Sequence, residues 1–261
     1  QFLRSILKES LCIKNTARQF WMDQKLLISL LMKPLNNYMS KKILIVGASG
    51  LVGGEILENL KTTNNELILL SRKKLLCENN VNQIVIDFED IDSLDTNLNI
   101  DEVYIAIGHK LSLSELVYIT KNNRKSFVNV DYNYIKKVAE FAKNCGANSV
   151  GLISAIGANT KSFNTYLKVK GDIENEIKLM GYEKIIIAHP SHLLGKRPNE
   201  VIPLNVKIFE KITNLFGLLM IGPLQKFRNV EAKKVAKAII SKMDSVEEGI
   251  HYIDYKYFKN F

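Results

Sequence analysis

Three side chains near the middle of the sequence have types and spacing suited to proton transfer. Tyr166 and Lys170 are four residues apart, and Ser154 precedes the tyrosine by twelve. Reduction of a carbonyl by hydride leaves charge on oxygen and needs a proton, which a tyrosine hydroxyl can supply. Because tyrosine is a weak acid, a nearby ammonium group and an oxidised nicotinamide would activate it by lowering its pKa. The pattern predicts Tyr166 as acid–base, Lys170 as its activator and Ser154 as a partner of the reacting oxygen.

A Tyr-x-x-x-Lys pattern is common by chance, so its meaning depends on the elements that position it. Tyr166 and Lys170 share one face of a predicted helix, Thr165–Met180, and Ser154 follows a predicted strand, Val150–Ile153. In open parallel sheets, ligands bind at the carboxyl ends of the strands. We therefore expect the three side chains to meet at that edge of a sheet.

A glycine-rich loop upstream has the features of a phosphate-binding loop. It joins a buried strand, Ile43–Val46, to a predicted helix, Leu51–Leu60, with glycines at positions 47, 50 and 53. The first permits a tight turn, the second lets the backbone approach a pyrophosphate, and the third lets helix and strand pack closely. The helix N-terminus adds free N–H groups and a favourable dipole. The nucleotide-binding residues predicted here are Gly47, Ser49, Gly50, Leu51, Val52 and Gly53.

The end of the second predicted strand, Leu67–Leu70, indicates which dinucleotide binds. An acidic residue there would bind the ribose hydroxyls of NAD. The chain instead continues with Ser71 and Arg72, and the first acid is Glu78. A serine hydroxyl can bind a 2′-phosphate and an arginine can hold it bidentately, so NADP(H) is favoured, with NAD(H) as the alternative.

Two further strand ends supply predicted cofactor contacts. Asp87 and Phe88 follow the third predicted strand, Ile84–Ile86, and the aspartate could accept a hydrogen bond from the adenine amino group. At the end of the fourth predicted strand, which spans Val103–Ile107, small residues would let the cofactor lie along the strand tips. The residues predicted there are Ala106, Ile107 and Gly108.

The composition and the order of apolar segments predict the fold class. The 261 residues are 46% hydrophobic and 24% charged, as in globular domains. Short, continuously apolar runs alternate with amphipathic stretches, as expected for parallel strands covered on both faces. This indicates an α/β fold: a doubly wound parallel sheet, the Rossmann fold, with a small C-terminal segment that covers the substrate. Further predicted elements are a strand at Ile185–Ala188 and helices at Phe127–Lys143, Val201–Phe216 and Val230–Met243.

Several classes of partner are disfavoured. No apolar run reaches the roughly 18–20 residues of a membrane span. The three cysteines are far apart, and His189 and His192 have no third ligand nearby, so neither a disulfide framework nor a metal site is expected. The net charge of +9 comes from scattered lysines rather than a basic run with interleaved aromatic residues, so no nucleic-acid partner is expected.

The chain divides into two parts of different character. Residues 1–38 form an N-terminal extension, and residues 39–261 are predicted to be one NAD(P)-binding domain with substrate-covering elements in about 190–261. The extension carries six basic residues and two acids, which matches an organelle presequence only in part. We expect a cytoplasmic protein. For residues 1–38, a segment without function, organelle targeting and a docking helix all stay open.

The motifs together resemble those of the short-chain dehydrogenase/reductase superfamily. The phosphate loop, Ser154 and the Tyr166–Lys170 pair carry the broad match. Residues 152–158 and 166–174 are similar to its atypical branch, in particular to Tat-interactive-protein-type oxidoreductases and their small bacterial relatives. The resemblance covers about residues 41–245 and implies NADPH bound to a Rossmann domain, poorly defined substrates and, in some members, a regulatory or protein-binding role.

One segment departs from the superfamily pattern. Members often read Arg-Pro-Gly after the sixth strand, whereas this chain reads His189, Pro190 and Ser191. Pro190 fits the turn that lies over the nicotinamide and is predicted as a cofactor contact. The other two residues leave the contacts of that loop open.

The favoured function is NADP(H)-dependent oxidation or reduction of a small carbonyl or alcohol substrate. One alternative is an NADPH-binding sensor without turnover, whose partner would be a protein. Another is an NAD-dependent sugar-nucleotide epimerase or dehydratase, although only 91 residues follow Lys170 to build a substrate lobe. Pairing of two copies through residues 127–143 and 165–180 is common in the superfamily and is a further expectation.

Overall fold

A parallel sheet forms the centre of the computed structural model, which describes residues 40–77, 81–195, 220–245 and 247–261. Its described strands are β1 (Lys42–Val46), β2 (Glu66–Ser71), β3 (Asn82–Val85), β4 (Glu102–Ile105), β5 (Ser149–Ile153), β6 (Lys184–Ala188), β7 (Leu193–Leu194), β8 (Val230–Glu231) and β9 (Gly249–Ile253). All except β7 and β8 form one sheet in the order β3-β2-β1-β4-β5-β6-β9, with every neighbouring pair parallel. β7 and β8 form a separate short pair. The strand order reverses between β1 and β4, the position at which such sheets bind ligands.

Helices cover both faces of the sheet. They are α1 (Leu51–Leu60), α2 (Leu113–Val117), α3 (Lys121–Val128), α4 (Ile135–Asn144), α5 (Thr165–Leu179), α6 (Ala232–Met243) and α7 (Tyr255–Phe258). Helices α4 and α5 pack on one face, and α1, α6 and α7 pack on the other. Residues Asn129–Tyr134 between α3 and α4 are π-helical, so the chain stays helical from α3 to α4.

The alternation of side chains in β1 shows why the central strands are continuously apolar. Leu44 and Val46 point into the core under α4 and α5, whereas Ile43 and Ile45 point into the core under α1 and α6. All four are at most 1% exposed. Because successive side chains of a strand face opposite ways, a strand covered on both sides must be apolar throughout.

The predicted fold class is confirmed, with a doubly wound parallel sheet in the described residues. The six predicted strands are present, with ends that differ by one or two residues. The strand β9 was missed. It lies at the sheet edge, where Ile250 and Tyr252 are about half exposed, and a half-exposed strand lacks the continuous apolar run on which the prediction depended.

Two predicted helices need correction, and one lies outside the described residues. The helix expected at Phe127–Lys143 begins earlier, at Lys121, and includes the π-helical segment. The helix expected at Val230–Met243 begins at Ala232, because the two preceding residues pair with β7. The predicted helix Val201–Phe216 and the extension 1–38 lie outside the described residues. No described helix combines the length and the apolar character needed to cross a membrane.

Candidate active site

The loop after β1 brings α1 into direct contact with the end of the strand. Gly47 has a φ of +96°, in the left-handed region that favours glycine. The Gly50 N–H donates a hydrogen bond to the Gly47 carbonyl at 2.8 Å, and a Cβ at Gly53 would lie only 2.1 Å from that carbonyl oxygen. Gly50 precedes α1 without a side-chain cap, so the first N–H groups of the helix are left for an anionic ligand.

A cleft of about 550 Å³ opens at the carboxyl ends of the strands beside this loop. Most of the predicted site residues line it: Gly47, Ser49, Gly50, Leu51, Val52, Arg72, Phe88, Ala106, Ile107, Gly108, Ser154, Tyr166 and Lys170. His109 and Lys110 line it as well. The phosphate loop and the serine–tyrosine–lysine group therefore share one cavity.

Four predicted contacts lie outside the cleft lining. Gly53 lies behind the loop, where it permits the close packing described above. The Ser71 hydroxyl donates to the carbonyl of Lys73 at 2.8 Å. Asp87 is exposed and accepts from the backbone N–H of Glu89. Pro190 is buried, and its carbonyl accepts from the Ile156 N–H at 2.9 Å.

The start of α5 fixes the position of Tyr166. The Asn164 side chain caps the helix by accepting a hydrogen bond from the Leu167 N–H at 3.1 Å. Tyr166 lies in this first turn, and its ring centre is 5.9 Å from that of Phe127. One turn later, Lys170 is buried in the same cleft wall, with 6% of its side chain exposed.

The ammonium group of Lys170 forms a buried ion pair that the sequence analysis missed. Its Nζ lies 2.9 Å from Oδ1 of Asp131, whose side chain is 2% exposed. The other carboxylate oxygen, Oδ2, accepts from the backbone N–H of His109 at 2.6 Å. Both oxygens of Asp131 are thus bound, one by the lysine and one by the strand tip that lines the cleft.

This pair changes the expected electrostatics of the tyrosine. Burial raises the pKa of Tyr166; the Lys170 ammonium lowers it and the Asp131 carboxylate raises it. The net direction is upward, opposite to the lowering expected from the sequence. Burial disfavours the charged form of Lys170, but Asp131, with Tyr166 and Glu174, outweighs it, so the pKa of Lys170 is raised.

Ser154 is also held by a carboxylate. Its hydroxyl donates to Oε1 of Glu174, and His189 Nε2 lies 2.8 Å from the same oxygen. The Glu174 side chain is 5% exposed and that of His189 is 18% exposed. A hydroxyl has one hydrogen, so while Ser154 donates to Glu174 it presents lone pairs, rather than a donor, to the cleft.

The positions of the two carboxylates that were not predicted, Glu174 and Asp131, can be recognised in the sequence. Glu174 follows Lys170 by four residues, as Lys170 follows Tyr166, so the three lie along one helix face. Asp131 lies four residues after Phe127 and four before Ile135, on the apolar face of its helix. An acidic residue on a buried face is rarely found without a partner.

Comparison with proteins of known sequence finds relatives of this chain. No family model matches this chain. It is 33% identical to the protein HTATIP2 of Rattus norvegicus over 165 residues, 60% of this chain and 65% of the rat protein, just under two thirds of its length. It is 31% identical to the mitochondrial protein FMP52 of Lodderomyces elongisporus over 176 residues, 61% of this chain and 69% of that protein.

Solved structures share the fold. A short chain dehydrogenase family protein from Francisella tularensis has a TM-score of 0.59 at 16% identity, with 85% of this chain and 100% of that chain covered. With the FMP52 relative at 31% identity over 69% of its length, the chain belongs to the atypical branch of the short-chain dehydrogenase/reductase superfamily. Another protein of this fold, Bordetella bronchiseptica WbmH in complex with NAD⁺, has a TM-score of 0.61 at 14% identity, with 83% and 76% of the chains covered.

The departure of this short-chain dehydrogenase/reductase from the Arg-Pro-Gly pattern has a structural counterpart. His189 follows β6, which lies next to β5 in the sheet, and its side chain turns toward Glu174 behind Ser154. In the described residues, no group of three or more His, Cys, Asp or Glu side chains could hold a metal ion. His189 shares the Oε1 atom of Glu174 with Ser154 and so belongs to the hydrogen-bonded group around the serine.

Proposed function

We propose that this chain is an NADP(H)-dependent oxidoreductase that interconverts a small carbonyl compound and its alcohol. The observation that carries the proposal is the shared cleft, which Ser154, Tyr166 and Lys170 line together with the phosphate loop. A dinucleotide with its pyrophosphate on that loop would extend its nicotinamide toward these side chains. The NAD⁺ of the Bordetella protein, which has the same fold, supports a nicotinamide cofactor for this chain.

The side chains that line the cleft would have separate roles in this reaction. When bound, the cofactor supplies or accepts the hydride. In reduction, Tyr166 donates its hydroxyl proton to the carbonyl oxygen while a C–H bond forms at the carbonyl carbon, and solvent then reprotonates the tyrosine. Burial, which raises the pKa of Tyr166, keeps the tyrosine in the protonated form that reduction needs. In oxidation the tyrosine must first lose this proton, and the Lys170 ammonium stabilises the anion that results.

The end of β2 supports NADP(H) over NAD(H). Arg72 follows the last residue of β2 and lines the cleft. No acidic residue lies between Ser71 and Cys77 to bind the ribose hydroxyls of NAD or to repel a 2′-phosphate. Because the Ser71 hydroxyl already donates to a backbone carbonyl, the arginine is the main phosphate ligand in this proposal.

Calorimetric binding of NADPH and NADH at one salt concentration tests the cofactor assignment. NADPH should bind at least about tenfold more tightly, a difference of about 1.4 kcal/mol, and Arg72→Ala should remove the difference. Lys74→Ala is the matched control, because Lys74 is an exposed cation nearby that does not line the cleft. Equal affinities in the wild type, or a preference for NADH, contradict the assignment.

Turnover separates an enzyme from a protein that only binds the nucleotide. NADPH oxidation would be followed with a panel of small aldehydes and ketones, with Tyr166→Phe as the control. The proposal expects turnover that the variant loses while it keeps its nucleotide affinity. A sensor is the second candidate, favoured by the ion pair in which Asp131 engages the lysine expected to activate the tyrosine. It would bind NADPH without turnover.

An epimerase or dehydratase is a further alternative with its own test. Such an enzyme would retain NAD during purification, and the released nucleotide would identify it.

The location of the protein is a separate question. The FMP52 relative is named mitochondrial, which supports targeting by residues 1–38 over the cytoplasmic expectation. Import of the full chain into isolated mitochondria, compared with residues 39–261, would decide between them.

A further inference from the structure

Several elements of the fold hold the ion pair between Asp131 and Lys170 in place. Lys170 is 6% exposed and Asp131 is 2% exposed, at a distance of 2.9 Å. The aspartate lies in the π-helical segment Asn129–Tyr134, and such segments occur often at functional sites. The backbone N–H of His109 binds its second oxygen. The carboxylate is therefore fixed in place and aimed at the lysine.

Gly108 leaves room for this arrangement beside the cleft. A Cβ at that position would lie 3.4 Å from Asp131 Oδ1 and 4.0 Å from Lys170 Nζ. The backbone that follows β4 therefore passes close to the ion pair at Gly108. Both residues of the pair line the cleft. A ligand that lies along this strand tip comes within reach of both charges.

The pair cancels the charge that the lysine alone would place in the cleft. Oxidised nicotinamide carries a positive charge that the reduced ring lacks, so an unpaired ammonium nearby would repel only the oxidised form. We propose that Asp131 is a positioning residue that neutralises Lys170 and thereby lets the cleft accept the oxidised cofactor as well as the reduced one. This inference rests on the proposed function, in which the nicotinamide lies against Tyr166 and Lys170.

Other charged groups near the pair do not replace Asp131. Glu174 is on the same helix as Lys170, and its Oε1 is already bound by Ser154 and His189. Tyr166 lines the same cleft, and it would add a negative charge only after losing its proton. Asp131 is thus the group whose loss leaves the ammonium uncompensated.

The test measures the ratio of two dissociation constants, that of NADP⁺ divided by that of NADPH, by calorimetry at fixed pH and salt. Asp131→Asn should raise this ratio by at least about fivefold, because the unpaired ammonium repels the oxidised ring. Lys170→Met should lower it, because the unpaired carboxylate attracts that ring. A loss of local structure would weaken the binding of both nucleotides by the same factor and leave the ratio unchanged.

A matched control and a double variant complete the design. Glu102 is also a buried carboxylate paired with a lysine, 2.7 Å from Lys41 Nζ, but it lies at the opposite end of β4. Glu102→Gln should leave the ratio unchanged. Asp131→Asn combined with Lys170→Met removes both charges and should restore the wild-type ratio within about twofold. If Asp131→Asn fails to fold, the lysine variant and the double variant still test the proposal.

The outcomes separate the inference from the function on which it rests. A wild-type protein that binds neither NADP⁺ nor NADPH contradicts the proposed function. A wild-type protein that binds both, together with an unchanged ratio in an Asp131→Asn variant that keeps its affinity for NADPH, overturns only the inference. Shifts in opposite directions for the two single variants support it.

Discussion

Replacing Gly53 by alanine is expected to weaken nucleotide binding, because it forces α1 away from the end of β1. The new Cβ would lie 2.1 Å from the Gly47 carbonyl oxygen and 2.6 Å from its carbon. Ordinary contact begins at 3.4 Å, so the helix would have to retreat by about 1.3 Å (3.4 − 2.1). The backbone fixes the position of the Cβ, and the atoms that it meets are themselves backbone, so no side-chain rotation can relieve the contact.

The energies involved have opposite signs and unequal sizes. Alanine favours a helix over glycine by up to about 1 kcal/mol. Overpacking of a well-packed site costs about 1–3 kcal/mol or more, so the variant should lose stability on balance. The larger effect is on binding, because the retreat displaces the loop whose N–H groups would hold the phosphates. We expect at least about a tenfold loss of NADPH affinity, or about 1.4 kcal/mol.

The neighbouring glycine provides the control for this experiment. A Cβ at Gly54 would lie 3.2 Å from the Ala48 carbonyl oxygen, a contact that a shift of a few tenths of an ångström relieves. Gly54→Ala should therefore keep both its NADPH affinity and its thermal midpoint near those of the wild type. Calorimetry and thermal unfolding would be measured for all three proteins. Wild-type affinity in Gly53→Ala would refute the reasoning that close packing of α1 shapes the loop.

Two further predictions concern stability. Ser154→Ala should lower the free energy of unfolding by about 1–3 kcal/mol, because it removes a hydrogen-bond donor from the buried Glu174 carboxylate; urea unfolding measures this, and an unchanged or higher stability would contradict it. Burial raises the pKa of Glu102 above its usual 4.5, so the folded state binds its proton more tightly than the unfolded state does. Its contribution is therefore complete below pH 4.5 and is lost as pH rises through the raised pKa. Urea unfolding from pH 4 upward should show this decline in the wild type and not in Glu102→Gln, and equal slopes would contradict the assignment.

The central part of the fold was readable from the sequence for a physical reason. Strands such as β1, covered on both faces, require apolar side chains at every position, and the glycine loop requires its spacing because of backbone contacts. Each requirement restricts the residue types within one short stretch of sequence, even where the contacts that impose it come from distant residues such as Ala106. The edge strand β9 has no such requirement, since Ile250 and Tyr252 are about half exposed, and it was missed.

The sequence predicted which residues form the candidate site, but it did not predict which side chains contact one another there. Ser154, Tyr166 and Lys170 were found because their chemistry and spacing follow from one helix and one strand end. Asp131 meets Lys170 across 39 residues of sequence, and Glu174 meets Ser154 across 20. Contacts between separate elements depend on how α5 and the π-helical segment pack. The direction of the Tyr166 pKa therefore required the structure.

Two lysine–carboxylate pairs lie at opposite ends of β4: the fully buried pair of Lys170 with Asp131, and the pair of Glu102 with Lys41, whose side chain is 29% exposed. Glu102 begins the strand, and Gly108, over the Asp131 pair, lies six residues later, about 20 Å away for an extended chain. The charged groups that most affect the pKa of Glu102 are Lys41, Asp244 and Lys184, and none of them lines the cleft. Engineering for heat resistance often sacrifices activity, because function depends on strained or polar groups. Here, apolar replacements of Glu102 and its partners Lys41 and Tyr104 would address heat resistance at one end of the strand and leave the residues of the cleft intact.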